Sequence, residues 1–311
     1  MATLPPPADP QADKPRNARS WIPLSLRLFA VMLVAVSLLS ALSAYRQHSV
    51  LREIERVEGS VELQPGGPVW LRPMLGERLS NVFLDRIVSA QLNFSKADDS
   101  TLRHLKHCTG LKKLLLAYTP VTDAGLAHVS GLKNLEVVWI EGTQITDAGL
   151  AHLSGLKNLT VLVSSTGITD AGLAHLKENQ ALCELLLNGT SITDAGMANL
   201  SKLTSLKGLH LSSTQIADAG LRHLSRMKNL SSLYLTDTRV TDAGLAHLSN
   251  LTTLTNLFLE NTDITDDGLK HLRGLSNLEQ LTLHGTEVSK AGVGELKSAL
   301  PKLRILIDFS E

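Results

Sequence analysis

The 24 residues from Thr241 to Ile264 read TDAGLAHLSNLTTLTNLFLENTDI, and they hold two hydrophobic periods in succession. Leu245, Leu248 and Leu251 fall three apart, which places them on one face of a helix. Leu254, Leu257 and Leu259 follow, and the alternation Leu257-Phe258-Leu259 is a short strand with Phe258 pointing away from its neighbours. Thr241 is a good helix N-cap, and Asp242 in the first turn complements the helix dipole. Gly244 leaves room where one unit packs closely on the next.

The block that opens this stretch recurs. T-D-A-G-L starts at Thr122, Thr146, Thr169 and Thr241, with TDAGM at Thr193, ADAGL at Ala217 and TDDGL at Thr265. Degenerate copies begin at Asp98 (DDSTL) and Ser289 (SKAGV). The nine starts step by 24 residues, apart from one step of 23 between Thr146 and Thr169. A single unit cannot bury its leucines alone, so neighbours must stack into a solenoid with a shared core. Strands pack about 4.8 Å apart while helices need about 8–10 Å, so the stack bends with its helices outside. The expected fold is an α/β horseshoe with a concave parallel sheet and convex helices.

The full pattern, L-x-x-L-x-L-x-x-T-x-I/V-T-D-A-G-L-x-x-L-x-x-L, resembles the leucine-rich repeat family over residues 87–308. The helix-bearing unit is similar to the cysteine-containing type of F-box substrate receptors and to bacterial membrane-anchored repeat proteins. The family usually has Asn or Cys where this chain has Thr119, Thr143 and their counterparts through Thr286. These hydroxyls are expected to satisfy loop backbone groups. The resemblance implies binding of a protein or peptide. No F-box segment is evident upstream. Ile87, Ala90 and Leu92 suggest a strand before the first full unit. The last unit gains a residue around Leu300-Pro301 and closes with Leu303, Leu306 and a polar tail over 309–311. The 23-residue unit is short near Val163-Ser164-Ser165, where a bulge or tightened loop is expected.

Upstream of the repeats the composition changes. Residues 1–20 carry Pro5, Pro6, Pro7, Pro10 and Pro15 and read as a disordered tail. Leu28 to Ala44 is free of charge and spans about 26 Å as a helix, short of the ~30 Å hydrocarbon core. Extension to Trp21 and Tyr45 closes the gap, so 21–45 is expected to be a single transmembrane helix with Arg27 at the interface. A cleaved signal peptide is the rival reading, with Ala41-Leu42-Ser43 as its site. Lys14, Arg16, Arg19 and Arg27 precede the span against Arg46, Arg52 and Arg56 after it, which leans the repeat domain to the extracytoplasmic side. Residues 46–86 form a bridging cap: RQHSVLREIERVEG as helix, VELQ as strand, then the Gly66-Gly67-Pro68 turn. Trp70, Leu71, Met74, Leu75, Val82 and Phe83 are expected to cover the first repeat.

Thirty basic and thirty acidic residues cancel, and aromatics are 4% of the chain. Neither suits nucleic acid as a partner. Two cysteines, Cys108 and Cys183, cannot make a four-cysteine zinc site or a disulfide framework. The sequence has no P-loop, HExxH, nucleophile elbow or Gly-rich dinucleotide fingerprint, so no enzyme and no cofactor is expected. The Asp column from Asp123 to Asp266 is assigned to helix starts. His104, His128, His152, His175, His223, His247 and His271 share one position on the outer helical surface, as duplicates of an ancestral residue. Sequons at Asn93, Asn158, Asn188, Asn199, Asn229 and Asn250 fall out of repeat grammar.

The column that calls for explanation is the outward one on the strands: Leu115, Trp139, Val163, Leu186, His210, Tyr234, Phe258 and Thr282. A solvent-facing sheet position is ordinarily polar. Here most of the column is large and apolar or aromatic, rimmed by Lys112, Lys113, Glu136, Glu141, Lys207, Asp237, Glu260 and Glu279. Such a strip is a partner-site signature. The expected protein or peptide site is therefore Leu115, Trp139, Val163, Leu186, His210, Tyr234 and Phe258, on a single-pass membrane protein. The alternatives are an intracellular adaptor resembling F-box-type receptors and a structural envelope component without a discrete ligand.

Overall fold

A computed structural model describes residues 24–66, 70, 72–83, 85–164 and 167–309. The expected tail at 1–20 and the turn at Gly67-Pro68 lie outside them. The chain divides into two compact units, Met1–Tyr45 and Arg46–Glu311.

In the first unit the described residues belong to α1 (Leu24–Arg56), one continuous 33-residue helix that runs on into the second. Leu28, Phe29, Val31, Met32, Leu33, Val34, Leu38 and Leu42 are all exposed on it. Among the described residues no helix is long and apolar enough to cross a membrane. The expected span over 21–45 is therefore unsupported. Its charge-free core is only 17 residues, Trp21 lies outside the described residues, and α1 also includes the charged Arg46, Arg52 and Arg56.

The second unit is a repeat solenoid. Its strands form one sheet in sequence order. β1 (Ser60–Gln64) pairs antiparallel with β2 (Arg86–Gln91), and every later pairing is parallel. Nine three-residue strands follow: β3 (Lys113–Leu115), β4 (Val137–Trp139), β5 (Val161–Val163), β6 (Glu184–Leu186), β7 (Gly208–His210), β8 (Ser232–Tyr234), β9 (Asn256–Phe258), β10 (Gln280–Thr282) and β11 (Arg304–Leu306). Each pairs in exact register one unit on, so Leu115, Trp139 and Val163 are direct cross-strand neighbours. A short helix packs behind each step, from Asp99–Leu105 to Lys290–Ala299. Between helices and sheet the leucines close a single core. Leu245, Leu248, Leu251, Leu254, Leu257 and Leu259 are fully buried, as their spacing requires.

The junctions between units explain the T-D-A-G-L block. Asp218 accepts hydrogen bonds from the Thr241 backbone N–H (2.8 Å) and hydroxyl (2.8 Å), one unit downstream. Asp242 receives the same pair from Thr265, and eight such junctions run from Asp99 to Ser289. The glycine is part of the same device, because a Cβ on Gly244 would overlap Asp218 Oδ1. The aspartates thus do more than complement helix dipoles: each one holds the next unit. Thr122 also caps its own helix through the Ala124 N–H. Ala217 is the exception to the grip, with no hydroxyl for Asp194. Its helix has no side-chain cap, and neither does that of Thr241, whose expected capping bond is not formed while its hydroxyl donates to Asp218. The loop threonines behave as expected, Thr119, Thr214 and Thr262 each donating to the carbonyl three residues back at 2.6 Å.

The N-terminal closure differs from expectation. Val50 and Ile54, one turn apart on the C-terminal part of α1, and Val57 just beyond its end are buried in the repeat core. Trp70 and Met74 are exposed (68% and 76%), and Leu75 is half-buried. Leu71 lies outside the described residues, as do the side chains of Val82 and Phe83. α2 (Arg72–Phe83), which carries Met74 and Leu75, is interrupted at Gly76 (φ 71°), so it has no continuous apolar stripe to lay on the first repeat. The continuous α1 does.

The short unit keeps its strand register, with Val161 opposite Glu184 and Val163 opposite Leu186. Residues 165 and 166 of the expected bulge lie outside the described residues, and Gly167 after them stands at φ 64°. Ser164 occupies the inward position held by Leu116, Ile140 and Leu187 in other units, and its hydroxyl is buried without a hydrogen bond.

Candidate functional site

Three-residue strands present their first and third side chains to one side and bury the middle one. The open face of the sheet therefore carries two columns. The third-residue column is the expected one. Leu115, Trp139, Leu186, His210, Tyr234 and Phe258 are half-exposed on it. Val163 is not available in the same way: it is buried to 8% exposure, a small side chain between its cross-strand neighbours Trp139 and Leu186. Thr282, next to Phe258, is buried to 3%.

Strand spacing forces the aromatic members together. His210 and Tyr234 stack with ring centroids 3.8 Å apart and planes 14° from parallel. Tyr234 and Phe258 continue the stack at 4.1 Å and 6°. The three rings are one rigid fin whose edges face solvent, not independent side chains standing free. Burial lowers the His210 pKa, which favours the neutral imidazole within the stack. Burial also raises the Tyr234 phenol, with the Glu184 charge adding to it.

The first-residue column runs Lys113, Val137, Val161, Glu184, Gly208, Ser232, Asn256 and Gln280. Only Lys113 of this set was expected at the site, although the same alternation places all of them. Gly208 is the one without a side chain. The Glu184 carboxylate lies in the slot this leaves, where a Cβ on Gly208 would overlap it.

A second aromatic group was not foreseen. Phe94 and Tyr118, 76% and 52% exposed, stack at 4.9 Å and 9° beyond the ends of β2 and β3. Both occupy left-handed backbone (φ 57° and 56°). Their counterparts in other units are Gly142, Gly189, Ser213, Asp237, Asn261 and Gly285, residues that tolerate that conformation. Tyr118 lies over Gly142, where a Cβ would stand 2.6 Å from its ring. The Tyr118 hydroxyl and the Trp139 indole N–H both donate to Glu141, at 3.1 and 3.0 Å, tying this pair to the main column. A large aromatic in a column of Gly, Asn, Asp and Ser is the signal that aligning the units would have given.

Elsewhere the polar residues serve the repeat. His175, His247 and His271 are exposed on the helical side, and His104, His128, His152 and His223 are half-buried there. Among the described residues no group of three or more His, Cys, Asp or Glu is arranged to hold a metal ion. The Asn158 and Asn229 side-chain amides donate to Lys133 and Thr204 carbonyls of the preceding unit at 2.9 Å, a structural use of the sequon asparagines. Cys108 and Cys183 are free thiols, and burial pushes the Cys108 pKa up to about 12.

With this geometry in place, the class is a parallel-stranded solenoid that presents one open sheet face. Residues 202–225 match the family model described as a leucine rich repeat. The repeated units of this chain are thus of the leucine-rich kind. No curated protein matches it. Among solved structures it is similar to an internalin (inlF) from Listeria monocytogenes, at 21% identity over 67% of this chain and 77% of that one, with a TM-score of 0.50. It is also similar to an internalin C2 (inlC2) from Listeria monocytogenes, at 22% identity over 65% of this chain and 86% of that one, with a TM-score of 0.54. At these identities the likeness is one of fold.

Proposed function

We propose that this chain is a non-catalytic binding protein whose partner, a protein or peptide, lies along the open face of the sheet. The observation that carries the reading is the row of half-exposed side chains from Leu115 to Phe258, mostly apolar or aromatic and interrupted only by the buried Val163. Six steps of about 4.8 Å give a strip about 30 Å long, on a surface where polar residues are the norm. Aromatic edges held in a rigid stack lose little conformational freedom when a partner covers them, which favours tight binding. Phe94, Tyr118 and Trp139 extend the strip toward the N-terminal end of the sheet.

The test is recovery of native partners by the parent and by Trp139→Ala, Tyr234→Ala and Phe258→Ala. Each change is expected to weaken binding by ~2 kcal/mol or more, roughly 30-fold. Each lost ring pair also removes about 0.5–1.5 kcal/mol of stability, so melting curves must accompany the binding data. If all three variants keep every partner of the parent, the strip is not the binding site.

The same reading includes attachment to a membrane by α1. Val31 to Val34 are four consecutive exposed apolar residues, so the helix is apolar on every side there, and lipid satisfies such a surface. The excess of basic residues before the apolar segment favours an extracytoplasmic repeat domain. The chain should resist carbonate extraction, and a variant lacking 21–45 should be released. Full-length chain in the soluble fraction would overturn the attachment.

A further inference from the structure

The acidic groups along the open face are mostly served from within the molecule. Glu136 pairs with Lys112 at 2.8 Å. Glu141 accepts from Trp139 and Tyr118, Glu260 from the Thr236 hydroxyl at 2.5 Å, and Asp237 from the Asn261 amide at 2.8 Å. Glu279 stands in solvent. Glu184 differs from all of these. It is half-buried, it lies in the Gly208 slot, and among the described residues its carboxylate has neither a hydrogen-bond donor nor an ion-pair partner. Lys207 attracts it without reaching pairing distance, and burial outweighs that attraction, raising the Glu184 pKa.

A half-buried carboxylate with no donor from the protein is left to water or to a partner. Two features define its surroundings. The missing side chain at Gly208 leaves room for the carboxylate, and the His210–Tyr234–Phe258 stack stands in the adjacent column. The open face thus carries, at this point, a negative charge without a partner among the described residues, with aromatic rings in the next column. The complementary group is a cation on an apolar stem, which can lay its methylenes against the rings and its nitrogen on the carboxylate.

Resting on the reading of this face as the binding surface, we infer that Glu184 in the Gly208 slot is the specificity point for a lysine or arginine side chain of the partner. The apolar strip supplies contact area on either side, and this position selects which segment is accepted.

The experiment selects random twelve-residue peptides displayed on phage against the full-length chain in detergent. Enriched peptides are then synthesised and titrated against the parent, Glu184→Gln and Tyr234→Ala. The expected result is a shared Lys or Arg whose change to norleucine weakens binding to the parent about tenfold and leaves binding to Glu184→Gln unchanged. Glu184→Gln should melt no lower than the parent; a marked drop would assign Glu184 a structural role and overturn the inference. Peptides that lose affinity for Tyr234→Ala yet bind Glu184→Gln like the parent would sink the cation site while leaving the face intact. Peptides indifferent to both changes, or no enrichment at all, would overturn the face and the cation site together.

Discussion

Each repeat unit meets its neighbours in two places, and the two are written in opposite ways. At the helix side, eight successive junctions use the same grip, an aspartate holding the next Thr, Ser or Ala backbone with a glycine giving way beneath it. On the sheet side, the column from Leu115 to Thr282 hardly repeats: Leu, Trp, Val, Leu, His, Tyr, Phe, Thr. Both sets of residues are one unit apart, and both touch their counterparts. The difference lies in what else they touch. A junction residue must fit a backbone that recurs, so a change is penalised at every copy. A face residue meets solvent on one side, so it is free to vary and can encode recognition.

The sharpest way to break this comparison is to move one residue along the strand. Leu257→Ala removes a fully buried side chain beside Phe258 and should cost ~2–5 kcal/mol of stability in urea unfolding, with binding affected only through folding. A loss under ~1 kcal/mol would mean the inward and outward columns are misassigned. Gly244→Ala tests the junction itself. Its methyl displaces the Asp218 carboxylate from Thr241, and a loss of about 1–3 kcal/mol is expected by the same measurement. The Asp218→Asn, Gly244→Ala double variant should lose less than the sum of the two singles, because both act on one contact.

The comparison also predicts a gain. Ala217→Thr restores the missing hydroxyl, which can donate to Asp194 and accept from its own helix start. An increase of ~1 kcal/mol in stability is expected. No change would show that the grip rests on the backbone N–H alone.

The smallest effect concerns the stack. Burial holds the His210 pKa below its ordinary value, so the folded state disfavours the imidazolium. Above about pH 7 both folded and unfolded chains are neutral there and nothing is lost. As pH falls through about 6.5 the unfolded chain takes up the proton first, and stability declines. Relative to His210→Phe, the parent should lose stability between about pH 7 and 5; parallel pH profiles would remove His210 from the buried stack.

How far the sequence alone reached follows the same division. The solenoid, the buried leucines and the outward column were readable because each depends on spacing within one unit, as in Leu257-Phe258-Leu259. The aspartate grip was not, because Asp218 meets Thr241 and Gly244 across a unit boundary, and a dipole explanation already accounted for its position. The Glu184 slot depends on Gly208 in the following unit, and Gly208 reads by itself as a weak strand residue. Tyr118 and Phe94 project from left-handed turns, which strand alternation does not describe. Trp70 and Met74 do not form the cap because hydrophobicity there has no continuous helix to carry it, whereas Val50 and Ile54 lie on α1 and Val57 directly follows it.

The aspartate grip has a direction, and that bears on how such an array changes length. Every interior junction joins the same two surfaces, so inserting or excising one whole unit re-forms an identical joint and leaves no scar. Unequal exchange between copies is thereby tolerated in whole-unit steps and punished in fractions, as the single 23-residue unit shows by burying an unsatisfied Ser164 hydroxyl. The last copy reads differently: Ser289 accepts the grip of Asp266, but the next residue is Lys290, whose ammonium lies over the Phe309 ring at 5.5 Å. Lys290 stands where the other copies carry the gripping aspartate, so this copy offers no hold of that kind to a further unit.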